Sequence, residues 1–196
     1  MAGVVRVLRV RARMNTFKAD IEEIRRRARE KMEDGAVTAF YKADKDKVIE
    51  VLNEVLATEL VCTLRYRNHY YNAKGIHSEA VAAEFLEHAK EEQQHADLVA
   101  DRIAELGGDP NFSPEGLSTR SHAEYKECDT LEDMIREDLV AERIAISTYG
   151  EIVRWLANDD PTTRRMIEEI LAKEEEHADD LANLLVRFGG HDANGH

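Results

Sequence analysis

Four long stretches of the chain place apolar residues three or four positions apart, which is the spacing of one face of an α-helix. Val48, Val51, Leu52 and Val55 show this spacing in the first stretch. No apolar run approaches the ~20 residues that a membrane-spanning helix needs, so we expect no membrane contact. The pattern predicts an all-α protein with long helices over residues 44–73, 77–106, 130–158 and 162–188.

The segments between these stretches predict how the helices connect. Residues 107–129 form the longest linker and contain Pro110, Pro114 and Gly116. A linker of this length can cross from one end of a helix bundle to the other. We therefore predict a four-helix bundle with a long crossover between helices two and three. The predicted domains are a basic arm with a short helix at 21–33, the bundle and a polar tail, over residues 1–43, 44–188 and 189–196.

One chemical pattern occurs twice along the chain. A lone Glu in one helix is followed by Glu-x-x-His in the next, and residues three apart lie on one helix face. The lone Glu precedes the motif by 33 residues in the first half and by 32 in the second. The six residues are Glu59, Glu92, His95, Glu142, Glu174 and His177.

These six residues favour a metal site over a solvated surface. A single Glu-x-x-His in so acidic a helix would more commonly face water, but two copies at matching spacing are hard to obtain by chance. Glu59 moreover falls within an apolar stripe, where an unpaired carboxylate costs several kcal/mol. Four carboxylates and two imidazoles in a helix bundle form the ligand set of a two-iron or two-manganese site.

Three further side chains lie near these residues in the predicted helices. Tyr66 lies two turns beyond Glu59 on the same face, and the sequence leaves open whether it packs in the core or serves the metals as electron donor or hydrogen-bond partner. His88 is expected to be a surface or pore residue. Cys62 is expected to be a buried, inert thiol.

Charge is distributed unevenly along the chain. Residues 1–31 carry ten Lys/Arg against four Asp/Glu, a net of +6, whereas the remainder carries a net of −19. The acidic body favours cations. The basic arm fits either packing on a neighbouring subunit or contact with DNA phosphates. We expect a cytoplasmic protein, because the first residues lack a signal-peptide pattern and two cysteines make no disulfide framework.

Over residues 46–188 the chain resembles the bacterioferritin branch of the ferritin-like superfamily. The matching blocks are LNEVLATEL around Glu59, EHAKEEQQHADLVADRIAELGG around Glu92 and His95, EDLVAERIA around Glu142, and EILAKEEEHADDL around Glu174 and His177. Tyr66 corresponds to a tyrosine that the family has near its metals.

The resemblance implies a ferroxidase. Such a protein oxidises Fe(II) with O2 or H2O2, relieves oxidative stress and stores Fe(III) in a homo-oligomeric cage. It would hold two iron ions per subunit, with manganese or zinc as alternatives in the isolated protein. The resemblance also implies a role for each ligand: terminal acids Glu59 and Glu142, bridging acids Glu92 and Glu174, and one histidine per metal, His95 and His177.

The chain departs from bacterioferritins in two places. Gln93 stands where they have a haem-binding methionine, so we predict no haem. Only residues 189–196 follow the fourth helix, too few for the fifth helix of 24-chain cages, which makes a twelve-chain, Dps-like cage the expected assembly. Two alternatives remain open: a non-storage di-metal oxidase or dimanganese catalase, and a Dps-like DNA-protecting protein that uses residues 1–31.

Overall fold

The computed structural model describes residues 18–35, 37–75 and 78–189. Within these ranges the chain forms helices and no strand, which confirms the all-α prediction. The four long helices begin and end within two residues of the predicted positions. None of the helices described is both long and apolar enough to cross a membrane. The helices are α1 (Ile21–Arg27), α2 (Lys45–Asn72), α3 (Ser78–Glu105), α4 (Leu117–Arg120), α5 (Leu131–Leu156) and α6 (Pro161–Gly189), with a 3-10 turn at Met32–Asp34.

The chain divides into two compact units between Glu33 and Asp34. In the first unit α1 is shorter than predicted, and Lys31 adopts a positive φ of 48° that a helix cannot continue through. Residues 34–43, assigned to the arm from sequence, belong to the second unit, where Val37 and Tyr41 pack against the bundle core. Residues 1–17 of the predicted arm and 190–196 of the predicted tail lie outside the described residues.

Side-chain caps explain where the long helices begin. Thr130 caps α5: its hydroxyl accepts from the Asp133 N–H at 3.1 Å and donates to the Asp133 carboxylate at 2.7 Å. Asp44 caps α2 in the same way through the N–H three residues on. Asp160 caps α6, which begins at Pro161, a residue preorganised for a first helical turn.

The long helices pair as two hairpins, α2 with α3 and α5 with α6. Contacts between the hairpins fix the direction of α5. Tyr66, late in α2, contacts Glu142 early in α5. Glu59, earlier in α2, contacts Tyr149, later in α5. The two helices therefore run antiparallel, as the predicted crossover requires.

Hydrogen bonds tie the crossover to the length of α2. Near its start the Asn111 N–H donates to Asn53 at 2.8 Å. Near its end the Glu124 carbonyl accepts from Arg65 at 2.8 Å. Arg65 is fully buried and also donates to Asp138 of α5 at 2.8 Å. This buried ion pair fixes the end of the crossover, and with it the start of α5, against α2.

Gly108 lies at a point of close approach between the crossover and α2. A Cβ at this position would lie 2.7 Å from Cγ2 of Ile49 and 3.1 Å from Cγ2 of Ile103. We expect Gly108→Ala to lower the free energy of unfolding by about 1–3 kcal/mol, because both isoleucines must shift. Gly150→Ala is the control: its Cβ would meet only Arg154 at 3.6 Å, so a gain of up to ~1 kcal/mol is expected. Chemical denaturation of both variants tests this, and equal stabilities would contradict it.

The bundle core consists of two main apolar clusters with a polar layer between them. Along each long helix, the acids and histidines identified from sequence fall between residues of one cluster and residues of the other. Apolar packing on both sides therefore holds the polar layer in place. The first cluster includes Leu56, Ala96, Ala145 and Ile170, and the second includes Tyr66, Ala89, Ile135 and Leu181.

Candidate metal centre

The polar layer contains all six residues of the repeated pattern. Helices α2 and α5 each contribute one Glu, and α3 and α6 each contribute a Glu-x-x-His pair whose members lie one turn apart. Their burial is nearly complete, at 1% exposure for Glu59, Glu92, Glu142, Glu174 and His177 and 6% for His95.

These residues form two overlapping groups. Within each group, one ligand atom per residue lies within 4.8 Å of the others. Glu92 and Glu174 belong to both groups, whereas each of the other four belongs to one. The first group is Glu59, Glu92, His95 and Glu174, and the second is Glu92, Glu142, Glu174 and His177.

The two shared carboxylates face both histidines. Glu174 has Oε1 at 3.0 Å from Nδ1 of His95 and Oε2 at 3.4 Å from Nδ1 of His177. Glu92 has Oε2 at 3.9 Å from the first of these nitrogens and Oε1 at 3.4 Å from the second. Each shared carboxylate thus offers one oxygen to each group, which is the geometry of a carboxylate that bridges two cations.

Several buried polar atoms at the centre have no hydrogen-bond partner among the described residues. Buried polar atoms are rarely left unpaired, because each costs about 1–3 kcal/mol. Carboxylate oxygens and imidazole nitrogens at this spacing suit Fe(II), Mn(II) or Zn(II), so the residues present fit two divalent cations. The unpaired atoms are Glu59 Oε2, Glu92 Oε1, both Glu174 carboxylate oxygens, His95 Nδ1 and His177 Nδ1.

Without cations, protons neutralise part of the charge at the centre. Burial, together with the charge of Glu92, raises the pKa of Glu59 to about 8. Burial alone would lower the pKa of His177, but its contacts with Glu174 and Glu92 outweigh this and raise it to about 11. Cations and protons therefore compete for the same atoms.

Two buried tyrosines hold the carboxylates that belong to a single group. Tyr66 of α2 donates its hydroxyl hydrogen to Glu142 of α5, and Tyr149 of α5 donates to Glu59 of α2. Sequence reasoning identified Tyr66 but missed Tyr149. The signal was present, because Tyr149 follows Glu142 by seven residues just as Tyr66 follows Glu59.

Two residues outside the repeated pattern, Glu91 and His88, contact the imidazole of His177. Nε2 of His177 lies 2.7 Å from Oε2 of Glu91. The ring of His88 stacks on that of His177 with centroids 4.1 Å apart, and its Nδ1 lies 3.3 Å from the Tyr66 hydroxyl. The expectation that His88 is a surface or pore residue is wrong: it is 2% exposed, because α6 packs over it. Burial and the neighbouring His177 lower the pKa of His88 to about 3.

Both cysteines are free thiols. Cys62 is buried as expected and packs with Ala123 and Ala141, whereas Cys128 is half-buried and packs against the second core cluster. Burial and the charge of Glu92 raise the pKa of the Cys62 thiol well above its ordinary value. At neutral pH Cys62 is therefore a protonated and poorly nucleophilic thiol.

Comparison with known proteins gives a consistent result. Residues 49–189 match the ferritin-like domain family. The chain is 30% identical to a bacterioferritin of Desulfovibrio desulfuricans over 71% of its length and 75% of that protein. It is 33% identical to a DNA protection during starvation protein of Pyrococcus furiosus over 73% of its length and 79% of that protein. Among solved structures, it is similar to a dodecameric thioferritin, the bacterioferritin-related protein of Bacteroides fragilis, with a TM-score of 0.75, 32% identity and coverage of 78% of this chain and 92% of that one. The chain therefore belongs to the ferritin-like family and is similar to both its bacterioferritin and its Dps-like members.

Proposed function

We propose that this protein is a ferroxidase that oxidises Fe(II) at the polar layer of the bundle and stores the Fe(III) product in a homo-oligomeric cage. The observation that carries the proposal is the pair of overlapping groups, which share two carboxylates and contain six buried atoms without hydrogen-bond partners. The similarity to bacterioferritins supports iron as the metal.

Each residue of the centre has a distinct task in this proposal. Glu92 and Glu174 bridge two Fe(II) substrate ions. One ion is also held by Glu59 and His95, and the other by Glu142 and His177. Tyr66 and Tyr149 orient the two terminal carboxylates, and Glu91 orients the imidazole of His177. The proposed catalytic and metal-binding residues are therefore Glu59, Tyr66, Glu92, His95, Glu142, Glu174 and His177.

The arrangement of two ions matches the electron count of the oxidants. Each Fe(II) gives up one electron on becoming Fe(III), so a pair reduces one H2O2 with two protons to two waters. With O2, a pair and two protons give one H2O2. Because the two electrons leave together, a one-electron oxygen radical is not released. The hydrogen bond from Tyr66 to Glu142 supports a role for Tyr66 as a further electron donor.

The proposed storage and assembly depend on the charge and the exposed apolar side chains of the subunit surface. The acidic body, with a net charge of −19 outside residues 1–31, favours cation uptake and deposition of Fe(III). Large apolar side chains about half exposed, including Leu64, Leu98 and Trp155, suit contacts between subunits. We propose a twelve-chain cage, in line with the dodecameric relative from Bacteroides fragilis.

Size-exclusion chromatography after aerobic addition of excess Fe(II) tests the storage proposal. We expect one large species in which protein and iron elute together, with far more iron per chain than the two ions that a dinuclear centre holds. A small oligomer with two metal ions per chain would contradict storage and leave a di-metal oxidase or dimanganese catalase, which a peroxide assay distinguishes.

The two tyrosines provide a second test of the centre. We expect Tyr149→Phe to slow Fe(II) oxidation by about 10–100-fold, because it frees the Glu59 carboxylate to turn away. Tyr66→Phe should have an effect of similar size if Tyr66 only orients Glu142, and a larger effect if it also donates an electron. Tyr71→Phe, at a side chain 76% exposed, is the control. Stopped-flow absorbance measures all three rates, and a wild-type rate for Tyr149→Phe would contradict the orienting role.

The basic arm carries a second candidate function, which is contact with DNA. In the described part of the arm Arg25 and Arg29 are exposed, and the relative from Pyrococcus furiosus is a DNA protection during starvation protein. Free thiols at both cysteines fit the reducing cytoplasm, where DNA would be met. Deleting residues 1–33 should abolish a gel shift with DNA and leave iron oxidation intact. Absence of a shift with the full-length protein at physiological salt would contradict this function.

A further inference from the structure

A third group of metal-ligating side chains lies beside the dinuclear centre and shares no residue with it. Glu84 and His88 of α3 and Asp180 of α6 each offer one atom, and these atoms lie within 4.8 Å of one another. His88 is buried, whereas Glu84 and Asp180 are half-buried. The group therefore lies between the buried interior and the solvent, on the α3–α6 side of the bundle.

His88 is oriented toward the two carboxylates. Its Nδ1 faces the Tyr66 hydroxyl at 3.3 Å, so its Nε2 points to the other side of the ring. There Nε2 lies 3.5 Å from Oε1 of Glu84. In the described part of the chain this nitrogen makes no closer hydrogen bond, although the side chain is 98% buried. A nearly buried histidine thus directs Nε2 toward Glu84, and Asp180 completes the group within 4.8 Å.

The two carboxylates of the group give it a negative charge that favours a cation. Within the described ranges, no Lys or Arg side chain forms an ion pair with Glu84 or Asp180. Two carboxylates this close together repel each other, and a bound cation relieves that repulsion. One imidazole with two carboxylates suits a transition-metal ion, whereas Ca²⁺ and Mg²⁺ prefer oxygen ligands only.

We propose that Glu84, His88 and Asp180 bind one divalent transition-metal cation, so that each chain has a third metal site in addition to the dinuclear centre. Three protein ligands leave further coordination positions for water, which the solvent-facing side of the site can supply. Because the His88 ring stacks on that of His177 at 4.1 Å, the third cation is a close neighbour of the centre without sharing its ligands.

Counting bound Zn²⁺, which does not change its oxidation state, tests this proposal on the full-length protein. After removal of metals with a chelator, equilibrium dialysis and elemental analysis should find one Zn²⁺ per chain fewer in the double variant Glu84→Gln/Asp180→Asn than in the wild type. The substitutions leave His88 in place, so its contacts with the dinuclear centre remain. Glu87→Gln/Asp179→Asn is the matched control: it changes the same charges at exposed positions of the same helices and should bind as much Zn²⁺ as the wild type.

A further variant separates this site from the dinuclear centre. Glu174→Gln should weaken Zn²⁺ binding at the dinuclear centre. Adding Glu84→Gln/Asp180→Asn to this variant should remove one further Zn²⁺ per chain. That loss would support the third site even if the dinuclear centre bound no metal. Equal Zn²⁺ binding by the wild type and the Glu84→Gln/Asp180→Asn variant at every free Zn²⁺ concentration would overturn the proposal, whatever the dinuclear centre does. As a second readout, Co²⁺ absorption bands should lose the component that belongs to this site.

Discussion

Glu174→Gln is expected to lower the rate of Fe(II) oxidation by more than ~100-fold, because loss of even an outer partner of a metal ligand commonly costs 10–100-fold. Glu174 offers one oxygen to each half of the centre, so this single substitution affects both of the proposed iron positions. Stopped-flow absorbance after mixing with Fe(II) and oxidant measures the rate.

The adjacent residue provides a matched control for this variant. Glu175 carries the same side chain as Glu174 and lies on the same helix. It is exposed, however, whereas Glu174 is only 1% exposed. We expect Glu175→Gln to oxidise Fe(II) at the wild-type rate. Circular dichroism should show both variants fully helical, since Gln occupies nearly the same volume as Glu. Rapid oxidation by Glu174→Gln, or equal slowing of both variants, would contradict the assignment of the bridging ligand.

The second large effect is a loss of stability of the metal-free protein as pH rises. The pKa of Glu59 is raised to about 8 by burial and by Glu92, and that of His177 to about 11 by Glu174 and Glu92 against the effect of burial. Folding thus tightens proton binding at both groups. Their stabilisation is complete at pH values below their unfolded-state pKa and is lost as pH rises through the folded-state value.

The size of this effect follows from the shift at Glu59. Between about pH 5 and pH 8 the free energy of unfolding should fall by roughly 3 kcal/mol. For a domain of this length that corresponds to a decrease in Tm of about 6–12 °C. Two groups act in the opposite direction. Burial would raise the pKa of Glu174, but His177 and His95 hold it below its ordinary value, so its effect is confined to acid. Burial lowers the pKa of His88 to about 3, so His88 adds stability as pH rises toward 6.5 and offsets the loss from His177.

Thermal unfolding with and without Zn²⁺ measures this effect. Cations require deprotonated ligands, so Zn²⁺ should stabilise the protein more at the higher pH and remove most of the decline. The metal-free Glu59→Gln variant should show a smaller decline, because it lacks the carboxyl group responsible for that part of the effect. A metal-free Tm that rises over this pH range would contradict the prediction.

The sequence predicted the helices and singled out the six acids and histidines that meet in the polar layer, because both inferences depend on local spacing. Caps such as that at Thr130 determine where helices begin, and the repeated Glu and Glu-x-x-His pattern places one acid on each long helix. The burial of His88 and the contact of Glu91 with His177 could not be predicted, because both depend on how α6 packs over α3. The hydrogen bond from Tyr41 to Asp160 could not be predicted either, because it joins residues 119 positions apart in sequence.

The contact between Glu91 and His177 makes the two halves of the proposed metal centre unequal. Glu91 makes the imidazole of His177 a better donor to a metal, whereas no carboxylate lies within 4.0 Å of the outer nitrogen of His95 in the described part of the chain. On the proposed function, scarce Fe(II) would fill the His177 half first and leave the chain with a single ion, which cannot supply two electrons. Oxidation would then rise more steeply than in proportion to iron at low supply. The protein would spare iron when the cell is short of it and remove iron when it is in excess, so that the unequal halves act as a threshold.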